Sequence, residues 1–143
     1  MANILVVDDE HGIRDLLWEI LNDEGHNVEL AENAAQARSA RSRERPDLVL
    51  LDMRMPGMDG FEVLAKVSEH PRTREVPVMF LTAANERDML VKAFEAGAVD
   101  YVTKPFVAEE LLARVKTHLE LKSSRDRLAQ LAKERAELTQ VVA

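Results

Sequence analysis

Hydrophobic residues in this chain fall into short unbroken runs that each stop at a polar residue. Ile4-Leu5-Val6-Val7 ends at Asp8-Asp9-Glu10, and Leu48-Val49-Leu50-Leu51 ends at Asp52. Such runs are too short for helices and too apolar for strands with one wet face, so each reads as a strand covered on both sides. Val28 to Ala31, Val76 to Leu81 and Val99 to Val102 supply three more. Between them the spacing changes. Ile13, Leu16, Leu17, Ile20 and Leu21 mark one face of a helix that Gly25 can stop. Asn33 is placed to cap a helix carrying Ala34, Ala37 and Ala40, ended by Pro46. Phe61, Val63, Leu64 and Val67 define a third helix, which runs out in His70-Pro71-Arg72-Thr73. Asn85 caps a fourth with Met89, Leu90, Ala93 and Phe94, up to Gly97, and a fifth starts near Ala108. Strands alternating with helices through short loops predict an α/β fold, a parallel sheet covered on both faces.

The fifth helix outruns what a domain of this size needs. From Glu109 to Val142 there is no Pro or Gly, which allows about 50 Å of helix at about 1.5 Å per residue. Leu121, Leu128, Leu131, Leu138 and Val142 lie close to a seven-residue repeat, with Ser124 and Arg135 where apolar residues are expected. A short, imperfect coiled coil and a solvated helical tail are both open. The division expected is a domain over residues 1–120 and a helical extension over 121–143.

Composition narrows the classes of function. With 143 residues and 46% hydrophobic content the chain can fill one sizeable core. A net charge of -7 argues against a nucleic-acid binder that relies on clustered Lys and Arg. The absence of cysteine excludes disulfides and thiolate metal sites and fits a reducing compartment. No apolar run is long enough to span a bilayer and no signal-peptide pattern opens the chain, so a cytoplasmic protein without membrane contact is expected.

Placed at the carboxyl ends of their strands, where parallel sheets carry their sites, Asp8-Asp9, Asp52, Thr82 and Lys104 converge. Three carboxylates held together need compensating positive charge. Oxygen-only ligands point to Mg²⁺, and Lys104 is the basic residue at these strand ends. A hard metal, an ammonium and a hydroxyl around a carboxylate describe phosphoryl transfer, which is mostly positioning and charge neutralisation, and Asp is a known covalent acceptor.

The segments ILVVDDE, DLVLLDMRMPGMDG, VMFLTA and GAVDYVTKPF, at these intervals, resemble the receiver domain of bacterial two-component response regulators over about Asn3 to His118. The resemblance implies a flavodoxin-like (βα)5 fold with strand order 2-1-3-4-5. It implies that Asp52 accepts a phosphoryl group from a sensor histidine kinase or phosphotransfer protein. Asp9 would ligate Mg²⁺ directly, Asp8 through water, and the backbone carbonyl of Arg54 would add an oxygen. Thr82 and Lys104 would each contact a phosphoryl oxygen, Lys104-Pro105 would be cis, and Tyr101 would be the switch aromatic that follows Thr82. A homodimer through the last helix and the face that begins at Asn85 is expected.

Rival readings stand beside these. Asp8 can cap a helix, with Asp9 and Glu10 complementing the helix dipole, a reading preferred for an isolated acidic triplet and reversed by the shared strand edge. Thr82 can cap a helix, Lys104 can be a surface charge, and Tyr101 can be packing. Asp59 belongs with Gly60 to a turn, and His11, His26, His70 and His118, without zinc spacing, read as surface residues. Trp18, off the apolar face of its helix, is either half-exposed where a kinase docks or a covered surface residue. At the level of function the alternatives are a Mg²⁺-dependent phosphatase with an aspartyl intermediate and a dimerisation module that accepts no phosphate.

Overall fold

Alternate residues of each apolar run go to opposite faces of one sheet. The computed structural model describes residues 2–33, 35–37, 45–53, 60–69, 73–83 and 87–142, with backbone alone at 87 and 140–142. Strands β1 (Asn3–Val7), β2 (Asn27–Ala31), β3 (Leu48–Asp52), β4 (Val78–Ala83) and β5 (Asp100–Lys104) are parallel and ordered β2-β1-β3-β4-β5. This is the expected flavodoxin-like order. Leu5, Val7, Val49, Leu51 and Phe80 fill one side of the sheet, while Ile4, Val6, Leu48, Leu50, Met79 and Leu81 fill the other. The run Leu48 to Asp52 is buried at every position, which is why it carries no alternation in its sequence. Burying one such leucine stabilises the fold by roughly 1.5–3 kcal/mol.

The helices cover both faces. Helix α1 (His11–Asp23) buries Leu17 and Leu21, and α5 (Ala108–Val142) buries Leu111 and Val115 on the same side of the sheet. Leu16, expected on the apolar face of α1, is instead exposed at its margin, as is Trp18. Residues 35–37 form the described part of α2. Asn33 caps it as expected, its Oδ1 accepting from Gln36 N at 2.9 Å. Helices α3 (Gly60–Glu69) and α4 (Arg87–Glu95) close the other face through Val63, Leu64, Val67 and Ala93. Gly25 and Gly97 end α1 and α4 in the left-handed region, with φ of 88° and 111°.

Two differences from the sequence reading matter for the site. Thr103 and Lys104, beyond the strand expected over Val99 to Val102, belong to β5, because Thr103 continues the ladder opposite Thr82 and Lys104 opposite Ala83. Gly60 is more than a turn residue. A Cβ there would stand 2.6 Å from the carbonyl oxygen of Asp52 and 2.7 Å from Phe80 Cε1, so only hydrogen lets the start of α3 approach the end of β3. Helix α5 runs through residue 120 without a break. Beyond it Lys122 is 8% exposed and reaches Asp126 at 2.7 Å and Asp47 at 3.9 Å, while Arg125 binds the side chain and carbonyl of Glu75. No described helix is long and apolar enough to cross a membrane.

Candidate functional site

Register alone brings the polar strand ends together. Val7 pairs with Leu51, so the residues that follow, Asp8 and Asp52, leave adjacent central strands side by side. Asp8 N donates to Ala31 O at 3.0 Å and Met53 N to Leu81 O at 3.1 Å, extending the ladder one step past each strand. Asp8 is fully buried and Asp52 is 6% exposed. Lys104, at the end of β5, spans the gap: its Nζ lies 3.0 Å from Asp8 Oδ2, 3.5 Å from Asp52 Oδ1 and 3.9 Å from Glu10 Oε1. Burial pushes the Lys104 ammonium down, but Asp8 first, then Asp52 and Glu10, overcome this and hold it above its ordinary value. It therefore stays charged.

None of the acids after β1 caps α1 through its side chain: Glu10 stands at the N-cap position but makes no side-chain cap hydrogen bond. Helix α1 starts at His11, and its first turn holds no acid. Asp8 Oδ1 instead accepts from Glu10 N at 2.9 Å, a turn that folds the triplet so that carboxylate oxygens of Asp8, Asp9 and Glu10 lie within 4.8 Å of one another. The enclosed Asp8 Oδ2 accepts no well-aligned hydrogen bond from the described residues, despite the nearby ammonium. Its compensation among the described residues is the ion pair with Lys104 rather than an aligned donor. Four carboxylates face the Lys104 ammonium and the Arg14 guanidinium, which donates to the Asp8 carbonyl at 2.7 Å, a formal excess of two negative charges, and the candidate ligand atoms are all oxygens. Both facts fit a hard divalent cation such as Mg²⁺. Glu10 is the ligand candidate that the sequence reading passed over. Its place beside two other acids was visible, but the turn that brings its exposed carboxylate within reach of theirs was not.

The remaining expected residues are placed as follows. Thr82 is inside β4, 2% exposed, with its hydroxyl donating to Ala83 O at 3.2 Å and to Met53 Sδ at 3.8 Å. Strand geometry, not a helix cap, positions it beside the residue after Asp52. Lys104-Pro105 is cis. Arg54, Asp59, Asn85 and His70 lie outside the described residues, as do Ala34 and Ala40 of the second expected helix.

Tyr101 is half-buried on β5, edge-on to Phe94 with ring centroids 6.1 Å apart, and the Arg114 guanidinium lies 5.7 Å from its ring centre. Its neighbour Asp100 organises this corner. Asp100 Oδ1 accepts from Tyr101 N at 2.8 Å and from Arg114 at 2.7 Å, and Oδ2 is 3.0 Å from His118 Nε2. Burial raises the Asp100 carboxyl, but His118, the Tyr101 amide and Arg114 together bring it below its ordinary value. His118 is thus no plain surface residue. Arg114 and His118 stand one helical turn apart on α5, and that i, i+4 pairing was the signal available.

The response regulator receiver domain family matches residues 4–116, and the chain belongs to it. Sporulation initiation phosphotransferase F of Bacillus subtilis is 45% identical over 121 residues, covering 85% of this chain and 96% of that protein. The phosphate regulon transcriptional regulatory protein PhoB of Pseudomonas aeruginosa is 40% identical over 116 residues, 81% of this chain and 51% of its own length. Among solved structures, NtrX from Brucella abortus superimposes with a TM-score of 0.86 at 36% identity, over 91% of this chain and 29% of that one. A putative response regulator from Chloroflexus aurantiacus gives 0.80 at 34% identity, over 83% and 98%. The chain therefore spans nearly all of some relatives and half or less of others. Membership in this family makes it a component of phosphorylation-dependent signalling that works with histidine kinases or phosphotransfer proteins, and a signalling domain more than an enzyme.

Proposed function

We propose that this chain is a cytoplasmic switch whose Asp52 receives a phosphoryl group from the phosphohistidine of a sensor kinase or phosphotransfer protein. The observation that carries the reading is the buried Asp52 carboxylate at the end of β3, with the Lys104 ammonium 3.5 Å away and Asp8 beyond it. A carboxylate oxygen of Asp52 forms the new O–P bond as the P–N bond breaks, and that electron pair returns to the imidazole nitrogen. Lys104 would then move from the carboxylates to a phosphoryl oxygen, and the Thr82 hydroxyl would turn to donate to another. Asp8, Asp9, Asp52, the carbonyl of Arg54 and, at the rim, Glu10 would hold Mg²⁺, which when bound neutralises charge on the phosphoryl oxygens.

Phosphate on Asp52 can shift an equilibrium only through contacts that differ between its two states. Thr82 reorienting and Tyr101 leaving Phe94 and Arg114 are those contacts here. The receiver unit, residues 1–120, would pass the change to the extension, 121–143, whose leucines would hold two copies in a short coiled coil. Incubation with Mg²⁺ and acetyl phosphate tests the acceptor: wild type takes up one phosphoryl group per chain and Asp52→Asn none. Label retained by Asp52→Asn would sink the assignment. Continuous turnover of phosphate esters would instead favour a phosphatase.

A further inference from the structure

The long helix carries an apolar stripe that nothing among the described residues covers. Through Leu119 the apolar side chains of α5 pack on the core, and Lys122 and Arg125 still bind the domain. From Leu121 onward the leucines occupy another face: Leu121 is 59% exposed, Leu128 67%, Leu131 53% and Leu138 66%. With Ser124 and Arg135 they alternate in steps of three and four residues, the seam of a two-helix coil.

We infer that this seam seats on the same seam of a second copy with the two helices antiparallel, an orientation that rests on the dimer reading above. The residue order decides it. Setting Leu121 against the partner's Leu138 also sets Leu128 against the partner's Leu131 and Ser124 against the partner's Arg135. Every leucine meets a leucine, and each arginine meets a small hydroxyl residue. A parallel pairing in register would place Arg135 against its own copy, bringing like charges together in the seam.

The flanks agree. Arg127 and Glu134, both exposed, border the seam on one side, and in an antiparallel pair same-side residues meet, so Arg127 faces the partner's Glu134 twice by symmetry. A parallel pair would put Arg127 against the partner's Ala132 and Glu134 against the partner's Thr139, without charge pairing. It would also ask Arg125 to face the partner's Glu120, although Arg125 already holds Glu75.

The chain contains no cysteine, so an introduced one reports a single position. Leu121→Cys and Leu138→Cys proteins, each full-length, are oxidised alone and mixed, with sedimentation velocity run on the reduced forms. The antiparallel seam yields a disulfide-linked dimer in the mixture and little from either variant alone. Efficient linkage of each variant to itself would overturn the orientation and keep the dimer. A dimer with no linkage in any combination would overturn the seam as the interface. A wild-type monomer at tens of micromolar would remove the dimer reading itself. Independently, Arg127→Glu weakens dimerisation by on the order of tenfold, and adding Glu134→Arg to the same chain restores it. Failure of that rescue, with the dimer intact in wild type, also refutes the orientation.

Discussion

Gly60 offers a sharp test of how the site is held. A methyl group at this position would stand 2.6 Å from the Asp52 carbonyl oxygen, 2.7 Å from Phe80 Cε1 and 3.1 Å from Met53 Cα. Comfortable carbon contacts lie at about 3.5–4.0 Å, so Gly60→Ala must open roughly 1 Å between α3 and the ends of β3 and β4. Two of the three obstructing atoms are backbone, and Phe80 is fully buried, so little can rotate away. Overpacking of this kind costs about 1–3 kcal/mol. For a domain of this length that is a fall in Tm of about 3–12 °C, at roughly 3–4 °C per kcal/mol. Gly12 is the matched control, since a Cβ there meets nothing within 4 Å and it lies inside α1. Gly12→Ala should gain up to about 1 kcal/mol from helix propensity. Calorimetry of the two variants should therefore shift in opposite directions, and Gly60→Ala should also be phosphorylated more slowly because its methyl presses on Asp52. A Gly60→Ala protein as stable as wild type would refute the close-approach argument.

Other expectations follow from the same geometry. The Asp100 carboxyl is held below its ordinary value of 3.8, so it contributes stability that is present above about 3.8 and lost as pH falls through its lower folded value. Asp100→Asn should thus be destabilised at pH 7, and its deficit should shrink at pH 3, as denaturant titrations at the two values would register. Adding Mg²⁺ should raise the Tm of wild type, by an amount equivalent to about 2.7 kcal/mol at a hundred times the dissociation constant. Asp8→Ala and Asp9→Ala should lose most of that rise, and an unchanged Mg²⁺ response in both would remove the metal from these acids. Compared at a concentration where both are monomeric, a chain ending at Arg127 should melt like the full chain, whereas one ending at Leu121 should lose the Lys122 and Arg125 ties and up to about 1 kcal/mol for each.

Much of this was legible in the chain. Each strand of the centre announces itself because burial on both faces demands an unbroken apolar run, and the polar residue that stops it must lie at the sheet's end. Asp52, Asp8 and Lys104 could be placed together on that basis alone. What could not be read depended on contacts between distant residues. Nothing near Gly60 in sequence reports that Phe80 crowds it. Asp100 and His118 are 18 residues apart, and neither residue type specifies the other. Lys122 looks like a tail residue until Asp47, from the loop before β3, is seen beneath it. Hydrophobic periodicity reports which face is buried, and it is silent on which polar partners meet there.

The unbroken course of α5 has a mechanical consequence. Arg114 and His118 fasten the helix to Asp100, next to the switch tyrosine, and Leu138 rides on the same rigid rod with no Pro or Gly between them. The 24 residues from Arg114 to Leu138 span about 36 Å at about 1.5 Å per residue. A pivot of about 10° at the Asp100 anchorage, with the Lys122 and Arg125 ties yielding, would therefore sweep Leu138 sideways through about 6 Å, more than half of the roughly 8–10 Å that separates packed helix axes. Motion too small to disturb the sheet becomes, at the far end, a sideways displacement large enough to carry the leucines out of one packing groove.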